Sequence, residues 1–599
     1  MIPEGVETIE SEAFSGCTAL EKVSLPKSLK TIGALAFSGC TALKELAIPE
    51  GLNEIADDAF QNCPCVESVH RQRESYLADA EKRGVYLPGS RRNERDYPGI
   101  SYVYDGGKLE KVVFEHAPAD AVELVIPDDV TEIAPGAFRD CIKLKTLVLP
   151  NGVTEIGSMA FSNCVELESV VIPNSVGLIP DGAFQKLQKL KTVTIPVHAS
   201  IGKSAFEGCY ELESVTLTEG GKAVAPARED AAIGDEAFSW CQKLKRFEFP
   251  DGIRSIGNKA FYGCGAIEPT AIPSTVASIG EEAFNGCLLK EIAIPKGVTS
   301  IGEKTFRNCR FEKLVIPAGV TVIGEEAFSN CPELKEIAIP EGVKLIGYSA
   351  FNNCPKLERV SLPNSLKTIG CAAFYLCPEL KNVLIPAHIE SFADAFDISK
   401  THLTFPAGNT RYRFTPEGAL IDEEKHILLA VPWSFEGHFT IPDGIKAVAP
   451  RAFRYCHISG VTIPSSVTSL GAGAFSYCGV EEITIPPSVT AFQVGENIPG
   501  VTQAAINFKM AYPVHYEEHA MGLFAHATRL KRVTLPENMQ EIPYAMFRDC
   551  ESLEEIAIPE SVKTVRPVAF ERCPCKETVR RLMESRRARG LKAEWLEER

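Results

Sequence analysis

A single motif of 22 or 23 residues recurs about twenty times along this 599-residue chain. One clean copy runs from Ile339 to Pro363, IPEGVKLIGYSAFNNCPKLERVSLP, and it overlays on IPKGVTSIGEKTFRNCRFEKLVIP from Ile294. The phenylalanine marks the register: Phe14, Phe37, Phe60, Phe138, Phe161, Phe184 and so on through Phe547 and Phe570 fill the same slot. A unit this short cannot bury an apolar face alone. Fixed periods in this range therefore build solenoids, in which each copy is covered by its neighbours.

Within a copy, Ile337-Ala338-Ile339 alternates with the period of a strand buried on one face. Pro340 has no amide proton for a ladder and ends it, and Glu341-Gly342 supplies turn chemistry. Val343 and Ile346 are expected to point inward, with Gly347 permitting a tight bend. The stretch Tyr348 to Cys354 has room for one or two helical or 3-10 turns. Each copy then reads strand, turn, short helix, return. At a strand spacing of roughly 4.8 Å, twenty such coils make a rod on the order of 100 Å long.

The pattern C-x-x-L-x-x-I-x-I-P-x-G-V-x-x-I-G-x-x-A-F resembles the BspA-like leucine-rich repeats, also called the Treponema pallidum type. The asparagine ladder of commoner leucine-rich repeats is replaced by Gly or Ser after the strand. The resemblance implies an α/β leucine-rich-repeat solenoid, with a concave parallel β-sheet, short helical or 3-10 turns on the other side and a helical C-terminal cap. It also implies a non-catalytic binding role, since relatives are bacterial and protist surface proteins of the adhesin kind that bind matrix proteins, microbes and host receptors. The expected partner is a protein or glycoprotein ligand, a host matrix protein among them, and no cofactor is expected.

The formal charge of −17 argues against nucleic acid, whose binding depends on neutralising phosphates. No stretch reaches the ~18 apolar residues that membrane insertion needs. No signal peptide or anchor is visible, which leaves localisation open and keeps an intracellular leucine-rich-repeat scaffold as the alternative. Met1 falls on the turn of a repeat with no cap before it, so the open first coil offers a surface for self-association. Seventeen of the twenty cysteines sit three residues after the repeat phenylalanine, in a slot that also takes Leu187, Ser399 and Ala527. That choice of side chains asks for small buried groups, so the cysteines read as buried thiols rather than a disulfide framework.

Four breaks divide the array. Repeats occupy 1–64, 122–400, 441–489 and 523–573; between them lie a helical cap-like insert with a β-hairpin (65–121), a β-hairpin island (401–440) and an aromatic, His-rich insert (490–522), and a helical cap (574–599) ends the chain. Thr218 to Ala232 is a shorter loop. Cys63-Pro-Cys65 and Cys573-Pro-Cys575 open the two helical segments; neither pair reaches the four ligands of tetrahedral zinc. His515, Glu518 and His519 match H-x-x-E-H, the inverted zincin order, and make a metallohydrolase on residues 490–526 the remotest alternative. Gly202-Lys203-Ser204 ends like a P-loop, but Val197 stands where that loop needs Gly.

The outward residue of each strand is small and uncharged, as at Ser24, Val148, Val171, Thr194, Val315, Ala338 and Thr484, with charges of both signs beside it. Large aromatic anchors are absent from this strip. They occur in the inserts, as Tyr102, Tyr104, Tyr412, Trp433, Tyr512 and Tyr516, which are the binding residues expected from sequence.

Overall fold

The computed structural model describes residues 2–49, 52, 54–56, 58–82, 85–86, 100–105, 108–114, 116–117, 121–218, 231–268, 271–492 and 522–596. These form a parallel β-solenoid of about twenty coils with little helix. The coils fall into two compact units, Met1–Val298 with Thr305–Cys309, and Thr299–Lys304 with Arg310–Arg599.

Many coils contribute two short strands rather than one. The I-x-I segments pair in parallel register: in the first unit Ser169–Val171, Thr192–Ile195, Ser214–Leu217 and Arg246–Phe247 lie side by side. A second ladder forms where the chain returns from the turn, since a β-branched pair such as Thr31–Ile32 packs one side chain inward and pairs with its counterparts above and below. Five return strands, from Leu178–Ile179 to Ser278–Ile279, align in the first unit, and four, from Ser300–Ile301 to Thr368–Ile369, in the second.

Between the ladders the repeat phenylalanines form a buried stack. Phe184, Phe206, Phe238 and Phe261 follow one another at 5.2, 5.1 and 5.5 Å with nearly parallel rings. Phe328, Phe351, Phe374 and Phe396 repeat this in the second unit at 5.3, 5.2 and 5.1 Å. Ring separations of this size match the strand spacing, so the ladders and the stack support one another.

The turn around each phenylalanine is not the helix expected from sequence; Ala393–Ala395 is a lone short 3-10 helix among the described residues. Residues two before and two after the phenylalanine adopt the left-handed conformation, as at Met159 (φ 56) and Asn163 (φ 64), which stops any helix from propagating. The freed amides instead reach the next coil: Met159, Phe161 and Asn163 donate to the carbonyls of Asp181, Ala183 and Gln185 at 2.9, 2.8 and 2.8 Å. The repeat glycine has a different purpose from the bend expected. A Cβ on Gly347 would meet Glu325 N and Gly324 C at 2.7 Å, so glycine is there to let adjacent backbones touch.

The cysteines complete the turn. All twenty are free thiols, and many of those in the repeat slot donate backwards to the phenylalanine carbonyl of the preceding coil. Cys164 Sγ lies 3.1 Å from Phe138 O, and Cys264 Sγ lies 3.1 Å from Phe238 O. A thiol is small enough for the slot and is a weak donor for a carbonyl that water cannot reach.

Two helices cover coil ends. In α1 (Val66–Lys82), Arg73 and Gln72 donate to the carbonyls of Leu52 and Leu46 at 2.7 and 2.9 Å, and Val69 is buried. In α2 (Lys576–Ala588), Val579 and Met583 are buried and Arg586 donates to Ile558 O and Pro559 O at 2.7 and 2.9 Å. Beyond α1, Ile100–Asp105 and Lys108–Phe114 form an antiparallel hairpin whose second strand joins the return ladder, with Phe114 stacked 4.8 Å from Phe138. The island after residue 401 is a three-stranded meander rather than a hairpin: Tyr412–Phe414, Leu420–Asp422 and Ile427–Ala430, the last pairing in parallel with Ala447–Val448. Across the fourth break, Glu482–Thr484 pairs directly with Arg532–Thr534, so the ladder continues without interruption.

Candidate interaction surfaces

The repeat spends its apolar residues on the interior, which leaves two surfaces with side chains not needed there. The first is the outward position of the I-x-I strand. Val148, Val171, Val315 and Leu384 are 54, 62, 78 and 57 % exposed, although Leu147, Val170, Leu314 and Val383 beside them are buried. Ser24, Thr484 and Thr534 occupy the same exposed position. The charged row alongside stitches neighbouring coils: Glu168 meets Lys191 at 3.1 Å and Glu336 meets Arg359 at 2.6 Å. Hydrogen bonding from Lys191 and Arg359 holds both carboxyls below their ordinary range. Exposed pairs of this kind stabilise little, and they leave the uncharged strip as the open part of the face.

The expected aromatic anchors are placed unevenly. Tyr102 and Tyr104 lie on the first hairpin strand, opposite Val112 and Leu109 in register. Tyr412 is not an outward anchor. It is buried, packed edge-on against Phe392 at 5.2 Å, and its hydroxyl donates to Ile389 O at 3.1 Å. Burial raises its phenol to about 12, so this residue holds the meander to the solenoid. The adjacent Arg411 makes a 2.8 Å ion pair with the buried Asp422. Tyr512, Tyr516, His515, Glu518 and His519 lie outside the described residues. No group of three His, Cys, Asp or Glu able to hold a metal occurs among the described residues.

Trp433 is half-buried and is brought together with residues that the sequence did not single out. It meets Tyr375 and Tyr455 edge-to-face at 5.0 and 5.2 Å; Tyr455 continues to Tyr477 at 5.3 Å, and Tyr477 stacks on His526 at 4.5 Å. The Arg454 guanidinium lies 4.8 Å over Tyr455 and 5.5 Å over Tyr477. This second surface is a ridge of rings on the turn side of the second unit. Leu376, half-exposed next to Tyr375, belongs to the same edge.

Leu376, Tyr455, Tyr477 and His526 sit two residues after the repeat phenylalanine, at φ 57, 63, 53 and 59. Other coils fill that left-handed slot with residues that tolerate it, such as Gly263, Asn330 and Asn353. A bulky side chain there costs roughly 1 kcal/mol. The fold would accept Gly or Asn, so the rings are not explained by folding. Their signal was legible as rings at a position held mostly by Gly, Asn and Asp, with Lys186 and Arg572 as the other long side chains there. The first unit has one comparable case: Trp240 at φ 64, exposed and edge-on to Tyr262 at 5.1 Å.

At the end of the ridge His526 Nδ1 is 3.3 Å from Asp549 Oδ2. Burial outweighs that carboxylate and, with Arg548, Arg572 and Arg454 nearby, holds the imidazole below its ordinary value. His526 is therefore neutral at pH 7.

The family comparison agrees with this geometry. The BspA type leucine rich repeat region matches in six copies, over residues 1–76, 108–226, 231–310, 299–412, 435–496 and 507–579. The chain belongs to this family. Membership of this family suggests a protein-interaction solenoid. Among solved structures, the chain is similar to a leucine-rich repeat protein from Bacteroides ovatus, with 26 % identity over 65 % of this chain and 93 % of that one and a TM-score of 0.41. It is also similar to a leucine rich cell surface protein from Faecalibacterium prausnitzii, with 22 % identity over 80 and 91 % of the two chains and a TM-score of 0.28. A leucine-rich repeat protein from Eubacterium ventriosum shares 22 % identity over 56 and 84 %, with a TM-score of 0.29. No curated protein matches. Among the described residues no helix is long and apolar enough to cross a membrane.

Proposed function

We propose that this BspA type solenoid is a non-catalytic binding protein of a microbe, adhesin-like and displayed at the cell surface, that takes an extended protein or glycoprotein ligand along its strand face. The observation that carries the reading is the exposed uncharged strip. Val315 is 78 % exposed on a sheet whose charged border is already paired between coils, so the valine serves no internal contact. Exposed apolar rows on a sheet suit an extended partner, which lays alternate side chains against them. Host matrix proteins are the first ligands to screen.

Treating intact producing cells with protease tests the location. Digestion of the full-length chain with a cytosolic control spared supports surface display; survival of the chain sinks it. Val315→Glu tests the face. Exposure predicts unchanged stability and weakened ligand binding, and undiminished binding would remove the strip from the proposal. A second reading, an intracellular scaffold, draws on one specific observation: twenty free cysteines, which suit a reducing compartment. Survival in the protease experiment would select it.

A further inference from the structure

We propose that the aromatic ridge of Tyr375, Trp433, Arg454, Tyr455, Tyr477 and His526 is a second binding surface, and that its partner is an acidic protein segment. This goes beyond the strand-face reading and does not rest on it, because the ridge lies on the turn side of the coil. The argument begins with charge. Around the ridge Arg451 pairs with Asp394 at 3.4 Å, Arg548 with Glu571 at 3.0 Å, Arg572 with Asp549 at 3.2 Å and Lys400 with Asp397 at 3.4 Å. Arg454 is different. Among the described residues it has no carboxylate partner, and its Nε is buried without a hydrogen bond. A guanidinium set over two tyrosine rings and lacking a carboxylate of its own is a receptor for one, which it can engage through a fork of N–H donors.

The rings favour the same partner. Tyr477 and His526 are face to face at 4.5 Å, Tyr455 carries Arg454 on its face, and Trp433 is edge-on to Tyr455. Tyr455, Tyr477 and His526 each have a face engaged internally, so these rings offer edges and polar tips. Ring edges are the positive part of the aromatic quadrupole and attract anions. A sugar would need a bare ring face to stack on, so the arrangement suits a peptide better than a glycan. Tyr375 lies 6.5 Å from Tyr455, and the steps beyond it are 5.3 and 4.5 Å, so the ridge is at most about 16 Å long, the reach of about five extended residues. In a chain of net charge −17, an acidic segment is held only where such local compensation exists.

The test uses the full chain in solution against immobilised poly(Glu,Tyr), with poly(Lys,Tyr) and polygalacturonate as counterparts. Wild type should bind poly(Glu,Tyr) alone, and binding should fade with added salt. Arg454→Ala should weaken it by about tenfold or more, the order expected for a lost charged hydrogen bond. The double variant Tyr455→Asn with Tyr477→Asn should do the same while remaining folded, because Asn330 and Asn353 already occupy that slot at φ 59 and 56. Val315→Glu should leave it unchanged. The proposal is overturned if poly(Glu,Tyr) does not bind, if binding ignores both ridge variants, or if polygalacturonate binds in its place. Loss in Val315→Glu alone would also overturn it while leaving the strand-face reading standing.

Discussion

Replacing Gly257 with alanine separates two explanations of the repeat glycine. If the glycine is there for a bend, alanine should be tolerated, because no left-handed φ is required at this position. The packing says otherwise. An ideal Cβ at Gly257 would lie 2.5 Å from Asp235 N and 2.6 Å from Gly234 C, whereas ordinary contacts begin at 3.4 Å. Both neighbours are backbone and cannot rotate away. The two coils must part by roughly 1 Å, which strains the 2.7 Å hydrogen bond from Gly257 N to Ile233 O and the pairing of Ile256 with Ile233. Overpacking of this kind costs about 2–3 kcal/mol. Gly177, in the same unit, is the control: no heavy atom lies within 4 Å of its would-be Cβ. Alanine there should be neutral or stabilise by about 0.5 kcal/mol through the unfolded chain. Urea unfolding followed by far-UV circular dichroism and by Trp240 fluorescence reads both. Coincident midpoints for the two variants would refute the close-approach account.

Three further outcomes are expected. Asp422→Asn removes the buried carboxylate of Arg411, leaving only the exposed Glu424 at 3.6 Å, and should cost roughly 3 kcal/mol, read as a lower urea midpoint in the second unit; an unchanged midpoint would demote the pair to decoration. Burial pushes Cys209, Cys264, Cys309 and Cys478 up to about 12 from an ordinary 9.0. The folded state then holds protons that the unfolded state releases, so stability is full below pH 9 and falls as pH rises from 9 towards 12; a flat alkaline profile would contradict this. In a thiol titration at pH 8 the exposed Cys17 should react fast and the buried cysteines slowly, with all twenty counted in guanidinium; a total below twenty would mean disulfides.

Much of the fold was legible because the repeat states it twenty times. Ile337 and Ile339 fixed the inward strand positions, Phe351 the stack and Cys354 the buried thiol. The turn was not legible. Tyr348 to Cys354 has ordinary helix-compatible residues, and nothing local announces that Ser349 (φ 49) is left-handed, although Asn353 (φ 56) is a residue type that tolerates it. Those angles are imposed by amides bonding to the next coil, with Phe351 N to Ala373 O at 2.8 Å among them. Trp433 stands out in the sequence as a large aromatic in an insert, whereas its ring neighbours Tyr375 and Tyr455 come from two other coils. Tyr412 stands out in the same way and is core, since an aromatic in an island can face either way.

The sequence by itself determined the solenoid, its period, the identity of the buried ladders and the family. Each of these follows from which residue types recur at which spacing, and a repeat averages local noise away. Tertiary structure decided the second strand ladder, the left-handed turns, the reason for the glycine and the convergence of the ridge. These depend on how one coil meets the next at 2.5 to 5.5 Å, through backbone groups that every residue shares and that leave no mark on the letters of a single copy.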